Sequence, residues 1–219
     1  MSVSPVTDTK PKRRRMSAAD RREAILDAAL DEFAGAGFYE TSLEGVAARA
    51  GISKALIYEH FASKRDLHEA LLGRYRQDLL QRVIAALSRT GSPEQRLING
   101  ADAFLGFVEE NREPWKLMVR SPLEAGQGGG VAREQGEMAH AVAALVHGDV
   151  PEEMERQQGP AEAELRVEFF AQQLVGALRA LANFWDDHRE IPRQRLVQAS
   201  MNFVYFGLER NIRGERWEP

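Results

Sequence analysis

The sequence predicts an all-α protein in which an N-terminal group of three helices is joined by a long helix to a larger helical body. Apolar residues recur at helical spacing along the chain, and the runs that they form begin at capping signals and end at glycine or proline. With 219 residues, the chain is long enough for one large domain or for a small and a larger one, each with its own core.

The first helix is predicted to begin at Ser17. The run Ser17-Ala18-Ala19-Asp20 has the form of a capping box, in which a hydroxyl and a carboxylate each accept a backbone N–H. Its apolar face carries Ile25, Leu26, Ala29, Leu30 and Phe33. Gly35 and Gly37 are predicted to end this helix.

Two further short helices are predicted close behind the first. A second capping box, Thr41-Ser42-Leu43-Glu44, precedes a helix that ends before Gly51. Ser53 is predicted to cap a third helix that extends to Phe61. Small residues such as Ala47 let two helices cross closely, and Gly51 lets the chain reverse between them. This spacing is typical of a helix-turn-helix, although a small helical subdomain without a ligand is the alternative.

The third helix is predicted to present an outer face to solvent. Ile52, Ile57 and Phe61 are expected to pack against the first two helices. The rotation of about 100° per residue then turns four side chains outward: Lys54, Ala55, Tyr58 and Glu59. In a helix-turn-helix, this face of the second helix of the motif enters the major groove of DNA.

The same residues carry a resemblance to a known family. The motif string comprises Thr41-Ser42-Leu43, Val46-Ala47, Ala50-Gly51-Ile52-Ser53-Lys54, Leu56-Ile57-Tyr58, His60-Phe61 and Ser63-Lys64-Arg65-Asp66-Leu67. The stretch from Arg22 to Leu72 resembles the N-terminal domain of TetR-type transcriptional regulators. The resemblance implies a homodimer whose first three helices bind a DNA operator and whose C-terminal helices bind a small effector and dimerise.

The resemblance also implies roles for individual residues. Thr41 and Ser42 would lie against phosphate at the start of the second helix, and four residues would enter the groove: Ser53, Lys54, Ala55 and Leu56. Contacts to the DNA backbone are implied for Tyr58, His60 and Lys64. Leu56 and Glu59 depart from the residues common in the family. Leu56 is suited to a thymine methyl group, and Glu59 either accepts from cytosine N4 or repels phosphate.

The charge of the chain is unevenly distributed. The whole protein has a net charge of −4, whereas residues 1–22 hold seven basic residues against Asp8 and Asp20, a local charge of +5. Residues 1–16 are predicted to form a basic arm in which Arg13, Arg14 and Arg15, with Lys10 and Lys12, contact the DNA backbone or a minor groove. The alternative is a solvated tail without a partner.

The domain organisation follows from these patterns. Residues 17–63 are predicted to form the DNA-binding domain and residues 64–219 a helical effector-binding and dimerisation domain. Its first helix is predicted to run from Ser63 to about Ser88. The later helices are predicted at Glu94–Glu109, Glu113–Arg120, Val131–Val146, Pro160–His188 and Pro192–Ile212.

The last two helices carry more apolar residues than one core face requires. We therefore predict that they form a four-helix bundle with a second subunit. The interface residues would be Leu178, Leu181, Leu196, Ala199, Phe203, Phe206 and Gly207. Packing within one thick helical body is the alternative.

A cavity for a small apolar or amphipathic effector is predicted within the larger domain. The candidate lining residues are Phe104, Phe107, Trp115, Met118, Met138, Phe169, Gln173, Leu174 and Trp185. Each of them taken singly is more often plain core, so the prediction depends on the family resemblance.

Other classes of function find little support in the sequence. There is no cysteine, no nucleotide-binding or hydrolase motif, and no histidine spacing typical of a metal site, so we expect no enzyme, no cofactor and no metal. The apolar runs are too short for a membrane span, and a cytoplasmic protein is expected. The sequence therefore predicts a ligand-responsive regulator. We expect a repressor that binds a palindromic operator as a homodimer and is released by a small apolar or amphipathic effector. A helical lipid-binding or small-molecule-binding protein without operator binding is the alternative.

Overall fold

In the computed structural model, residues 16–120, 130–147 and 159–212 are described, with side chains for 16–120, 135–147 and 159–206. All the regular secondary structure in these ranges is helical, which confirms the predicted fold class. The chain divides into two compact units, one ending at Leu67 and the other beginning at His68. The division therefore falls four residues beyond the boundary predicted at residue 63. The predicted basic arm, with Arg13, Arg14 and Arg15, lies outside the described residues.

The first unit contains α1 (Ala18–Glu40), α2 (Leu43–Ala50) and α3 (Lys54–Tyr58). The capping box of α1 is confirmed: the Ser17 hydroxyl accepts from the Asp20 N–H at 3.0 Å, and the Asp20 carboxylate accepts from the Ser17 N–H at 3.3 Å. The two other short helices begin at caps formed by Ser42 and Ser53.

The end of α1 differs from the prediction. Gly35 lies within the regular helix, so its predicted role as a terminator is wrong, and the helix is interrupted at Gly37, where φ is 78° and ψ is 171°. A side chain is rarely tolerated at this φ, whereas glycine has no Cβ to clash. The last residues of α1 continue to Glu40 beyond this kink.

A small core holds the three helices of the first unit together. Ile25, Phe33, Val46, Ile57 and Phe61 are at most 2% exposed. Gly51 ends α2 in the left-handed conformation, with φ 66° and ψ 34°, and lets the chain turn into α3. Helix α3 ends at Tyr58, so the predicted extension to Phe61 is wrong. The Phe61 ring still reaches the core from the segment that follows.

The second unit contains most of α4 (Lys64–Leu87), which begins in the first unit, and five further helices. They are α5 (Pro93–Glu110), α6 (Arg112–Arg120), α7 (Gly130–Val146), α8 (Pro160–Asp187) and α9 (Arg193–Ile212). The predicted bounds agree with these within one residue at each end. Helix α8 packs against α7, α9 and α5, and α5 also packs against α9. No helix in the described ranges is long and apolar enough to cross a membrane.

Candidate nucleic-acid interface and ligand pocket

The helices α2 and α3 each begin at a serine cap. The Ser42 hydroxyl accepts from the Gly45 N–H at 3.0 Å, and the Ser53 hydroxyl accepts from the Leu56 N–H at 3.3 Å. A hydroxyl that accepts in this way still has its own hydrogen to donate. Both serines are exposed, so each can offer that hydrogen to a phosphate oxygen.

The face of α3 that is predicted to point outward is exposed. Lys54, Ala55, Tyr58 and Glu59 are all accessible to solvent, with 51% of the Tyr58 surface exposed. Leu56 is only half-buried, and its neighbour Ile57 is completely buried. These exposed residues form the outer surface of α3, and the buried Ile57 anchors the helix to the unit.

The Lys54 ammonium group does not stand alone on this surface. It forms an ion pair with the Glu44 carboxylate on α2, and it lies 5.8 Å from the centre of the Tyr58 ring. The hydrogen bond from Lys54 lowers the pKa of Glu44, and the same bond raises the pKa of Lys54. Glu44 was not among the residues predicted for the site, because its capping position in the sequence gives no sign of a partner on the next helix.

Thr41 does not reach the surface as predicted. Only 3% of its surface is exposed, and its hydroxyl lies 2.7 Å from the Gly37 carbonyl oxygen and 3.1 Å from that of Glu32. Its backbone N–H also donates to Gly37, at 3.2 Å. The Thr41 side chain forms hydrogen bonds at the end of α1 and is too buried to reach a phosphate. The predicted phosphate contact of Thr41 is therefore wrong.

Lys64 also forms hydrogen bonds within the first unit. Its Nζ donates to the Tyr39 carbonyl at 3.0 Å and to the Thr41 carbonyl at 2.9 Å, and it lies 4.8 Å from the centre of the Phe38 ring. An ammonium group has three hydrogens, so one hydrogen beyond these two bonds can be donated to a phosphate.

His60 is half-buried, and the centre of its ring lies 6.3 Å from that of Phe61.

A cavity of about 320 Å³ lies within the second unit. Four of the residues predicted for the ligand site line it: Phe104, Trp115, Met118 and Met138. The other lining residues were not predicted; they are Gly73, Arg76, Gln77, Leu79, Leu80, Gln135, Glu137, Val175 and Arg179. The volume lies at the lower end of the range of about 300–1,000 Å³ that is typical of ligand pockets.

The five remaining predicted residues do not line this cavity. Phe107 is completely buried beneath the guanidinium group of Arg82, and Trp185 donates its Nε1 hydrogen to the Ile191 carbonyl at 2.7 Å. Leu174 lines a separate cavity of about 20 Å³. Phe169 and Gln173 are exposed on α8. The apolar character of Phe107, Leu174 and Trp185 identified buried positions but not whether these positions border the 320 Å³ cavity.

Trp115 lines the 320 Å³ cavity close to Arg179, another of its lining residues. Trp115 is 3% exposed, its ring meets that of Phe104 edge-on at 5.6 Å, and the guanidinium group of Arg179 lies 5.8 Å from it. The Nε1 hydrogen of Trp115 has no acceptor among the described residues. A buried donor of this kind is uncommon, because an unmade hydrogen bond costs free energy.

The last two helices expose a set of aromatic side chains. Phe203 is 78% exposed, Phe206 is 56% exposed, and Ala199 lies on the same side of α9. On α8, Phe169 and Phe184 are 55% and 48% exposed. We call these five residues the apolar face.

Two of the predicted dimer contacts lie in the core of the second unit and not on its surface. Leu178 and Leu196 are 5% and 4% exposed in the core of the unit, so they have no free surface for a second subunit and their assignment is corrected. Leu181 is half-buried. The surroundings of Gly207 lie outside the described side chains.

Comparison with known proteins gives two family matches. The family described as "Bacterial regulatory proteins, tetR family" matches residues 25–71, and the one described as "Tetracyclin repressor-like, C-terminal domain" matches residues 93–207. The HTH-type transcriptional activator FasR of Mycolicibacterium smegmatis is 28% identical over 195 residues, which are 89% of this chain and 85% of FasR.

Solved structures show the same architecture. A TetR-like transcriptional regulator from Rhodococcus sp. RHA1 superposes with a TM-score of 0.68 at 28% identity, over 89% of this chain and 99% of that one. The fatty acid degradation regulator FadR from Bacillus halodurans has a TM-score of 0.68 over 87% and 96% of the two chains. Its identity is 14%, so this second similarity concerns the fold alone.

Proposed function

The chain belongs to the TetR family of transcriptional regulators, and on this basis we propose that it binds a palindromic operator as a homodimer and is released by a small amphipathic effector. The observation that carries the proposal is the exposed outer face of α3, anchored through Ile57 and preceded by the glycine turn at Gly51. A helix presented in this way is suited to the major groove.

The proposed DNA contacts divide into two groups. Ser42, Tyr58 and the remaining hydrogen of Lys64 would bind phosphate oxygens, with His60 beside them; such contacts fix the register of the complex but not its sequence. Ser53, Lys54, Ala55 and Leu56 would face base edges. These four residues carry few hydrogen-bond donors. The protein would therefore distinguish operator sequences largely through apolar contacts and DNA shape.

The charged residues outside α3 would modulate this binding. Glu59 is exposed at the end of α3 and would accept from cytosine N4 or disfavour registers that bring phosphate close. The basic arm, with Arg13, Arg14 and Arg15, would add affinity that falls as salt concentration rises, because each neutralised phosphate releases counterions.

The proposed dimer forms through the apolar face of α8 and α9. Exposed phenylalanine residues in such number on two adjacent helices are typical of a protein interface, and α8 packs against α9 within the unit. A symmetric dimer would place two copies of α3 at fixed separation, which a palindromic operator with half-sites about one helical turn apart would match.

The proposed effector site is the cavity lined by Phe104, Trp115, Met118 and Met138. Helix α4 contributes Gly73, Leu79 and Leu80 to its wall, and the same helix begins at Lys64 in the first unit. An effector that prefers one conformation of this helix would shift the population toward it and change the affinity for DNA. Linkage then requires that DNA weaken effector binding by the same factor.

The direction of regulation is part of the proposal. We propose repression relieved by the effector, since a protein that leaves its operator ceases to block the promoter. The FasR relative is named an activator, which makes activation the second candidate. Repression and activation differ in where the operator lies relative to the promoter. The way in which the effector releases the protein from DNA is the same in both.

The test is footprinting of the region upstream of the protein's own gene, followed by transcription in vitro from the same template. Two-fold symmetric protection, with transcription lowered by the protein, is the expected result. Raised transcription would favour activation. The absence of any protected site there and in a genome-wide selection of bound fragments would contradict the proposal and favour a ligand-binding protein without an operator.

A further inference from the structure

We infer that the effector is an amphipathic anion, and that Trp115, Arg76 and Arg179 bind its head group while an apolar chain occupies the rest of the cavity. The inference rests on the proposed role of the cavity as effector site and adds the chemical class of the molecule. Its observations are the hydrogen-bond state of Trp115, the charges of the lining residues and the apolar side chains among them.

The first observation is the indole nitrogen of Trp115. It is a donor only, it is buried in a side chain that is 3% exposed, and no acceptor is present for it among the described residues. The side chain lines the cavity. An oxygen of the effector would complete the missing hydrogen bond, whereas an ammonium group, which has no lone pair, would not.

The second observation is the charge of the lining residues. Arg76 and Arg179 contribute two positive charges, and Glu137 contributes the one carboxylate among the residues that line the cavity. Both arginines interact with other groups of the protein, so an anionic ligand would join or exchange with existing partners. A guanidinium group favours carboxylate and phosphate oxygens because its donors match two acceptor oxygens at once.

The third observation is the apolar part of the wall. Leu79, Leu80, Phe104, Met118, Met138 and Val175 supply aliphatic, aromatic and thioether surface without a polar side-chain donor. Methionine side chains adapt to an irregular chain, and the hydrophobic effect favours an alkyl group over water at such a wall. One molecule that is both apolar and anionic satisfies all three observations.

The binding test uses three probes of equal chain length: decanoate, decanamide and decylamine. Calorimetric titration of the full chain without DNA is expected to show decanoate binding at least tenfold more tightly than decanamide, with decylamine weaker still. Arg76→Gln and Arg179→Gln should each reduce the affinity for decanoate at least fivefold and leave decanamide unchanged. The matched control is Arg166→Gln, since Arg166 lies on α8 with Arg179 but does not line the cavity.

The role of the indole is tested separately. Trp115→Phe keeps an aromatic ring and removes the donor, so decanoate and decanamide, which both present a carbonyl oxygen, should each bind several-fold more weakly. Decylamine, which presents no oxygen, should be unaffected. Equal loss for all three probes would mean that the ring acts only by filling space and would overturn the assignment of the hydrogen bond.

A further variant shows whether the probes bind in the cavity. A Cβ at Gly73 meets no atom within 4 Å, so Gly73→Met should fold normally and place its side chain in the cavity. It should abolish decanoate binding, whereas Gly35→Met, the same change at an exposed glycine of α1 where a Cβ also meets no atom within 4 Å, should not. Unchanged binding to Gly73→Met would show that decanoate binds elsewhere, and this too would overturn the inference.

The inference fails if decanoate does not bind, if decanamide or decylamine binds as tightly, or if the preference for decanoate is undiminished in both arginine variants. Because these titrations contain no DNA, they do not depend on operator recognition. Footprinting with the same preparations tests the proposed function independently. A protein that binds its operator but prefers the amide would refute the anionic effector alone, and one that prefers decanoate but protects no DNA would refute the proposed function alone.

Discussion

The ammonium group of Lys54 is bound by the carboxylate of Glu44, which joins the first turn of α3 to the first turn of α2 across the helix-turn-helix. Both side chains are largely exposed, at 44% and 62%, so the pair contributes little to stability. In the proposed complex its effect would fall on DNA binding, because the lysine would have to leave or share this carboxylate to contact DNA, and the carboxylate itself would repel phosphate.

Replacing Glu44 is therefore expected to strengthen DNA binding. In Glu44→Gln, Lys54 loses its anionic partner and the surface loses one negative charge, so affinity for the operator should rise several-fold and depend more steeply on salt concentration. Fluorescence anisotropy with labelled operator at several salt concentrations measures both effects. Glu190→Gln makes the same charge change in the second unit and should leave binding unchanged. Weaker binding of Glu44→Gln would instead mean that the ion pair orients Lys54 for the groove.

Thr41 and Ser42 are adjacent, yet the structure predicts different consequences for their loss. Thr41→Val removes a buried hydroxyl that bonds to Gly37, and it should lower the free energy of unfolding by about 1 kcal/mol without changing DNA affinity. Ser42→Ala removes the cap of α2, at a similar cost of about 1 kcal/mol, and also an exposed hydroxyl, so DNA affinity should fall as well. Denaturant unfolding and anisotropy measure the two properties. A selective loss of DNA affinity in Thr41→Val would restore the predicted phosphate contact.

Lys64 has a structural role that the sequence did not predict. Lys64→Ala removes two hydrogen bonds from a charged donor to backbone carbonyls and is expected to destabilise the first unit by about 1–3 kcal/mol. Differential scanning calorimetry would detect this as a lower melting temperature. Arg89→Ala, at an exposed position after the end of α4, should have little effect. Should Lys64→Ala weaken DNA binding while its melting temperature is unchanged, the phosphate contact would be its main role.

The helices were predictable because their signals are local. Capping residues such as Ser17 and Ser53 lie within three residues of the N–H groups that they accept, so the sequence alone displays them. The capping box predicted to begin at Thr41 is wrong by one residue, because the cap of α2 is Ser42 and the Thr41 hydroxyl is bonded to carbonyl groups of α1. The exposed face of α3 follows from the same local rule, since a position two residues from Ile57 is turned away from the core. The interruption of α1 at Gly37 was also visible in the sequence, whereas the continuation through Gly35 was not.

The cavity was less predictable because several helices converge to form it. Phe104, Trp115 and Met118 were identified by their apolar character, but nothing in the sequence around Arg76 or Arg179 indicates that helix packing brings both into the lining of the same cavity. Trp185 resembled Trp115 in the sequence, yet its donor is satisfied by Ile191 beyond the end of α8. Which buried aromatic borders a space depends on tertiary contacts.

Stability should depend on pH through His68, which is 1% exposed near the start of α4. Burial lowers the pKa of His68 from 6.5 to about 4; the nearby charge of Arg76 acts in the same direction, and Glu69 opposes it. Between these values the unfolded chain binds the proton more readily than the folded one, so acidification favours unfolding. The contribution of His68 to stability is complete above pH 6.5 and is lost as the pH falls toward 4, by up to about 3 kcal/mol.

Replacing this histidine should remove that part of the pH dependence. Denaturant unfolding at pH 7, 6, 5 and 4 is expected to show a smaller loss of stability for His68→Gln than for the wild type across this interval. His140→Gln, at an exposed imidazole, serves as the control and should follow the wild type. Parallel curves for His68→Gln and the wild type would show that the protein accommodates the protonated imidazole without cost.

The apolar face supports a final prediction about assembly. Phe203 is 78% exposed, so Phe203→Glu should leave the folded protomer intact, but in the proposed dimer it would bury an unpaired charge at a cost of several kcal/mol. Sedimentation at micromolar concentration should then show a dimer for the wild type and a monomer for the variant. Operator affinity should fall with it, because one α3 helix cannot contact two half-sites. Tyr39→Glu introduces the same charge at an aromatic residue that is 72% exposed in the first unit, and it should remain dimeric. A wild type that sediments as a monomer would contradict the proposed dimer. A Phe203→Glu variant that stays dimeric would show that the dimer interface does not include Phe203.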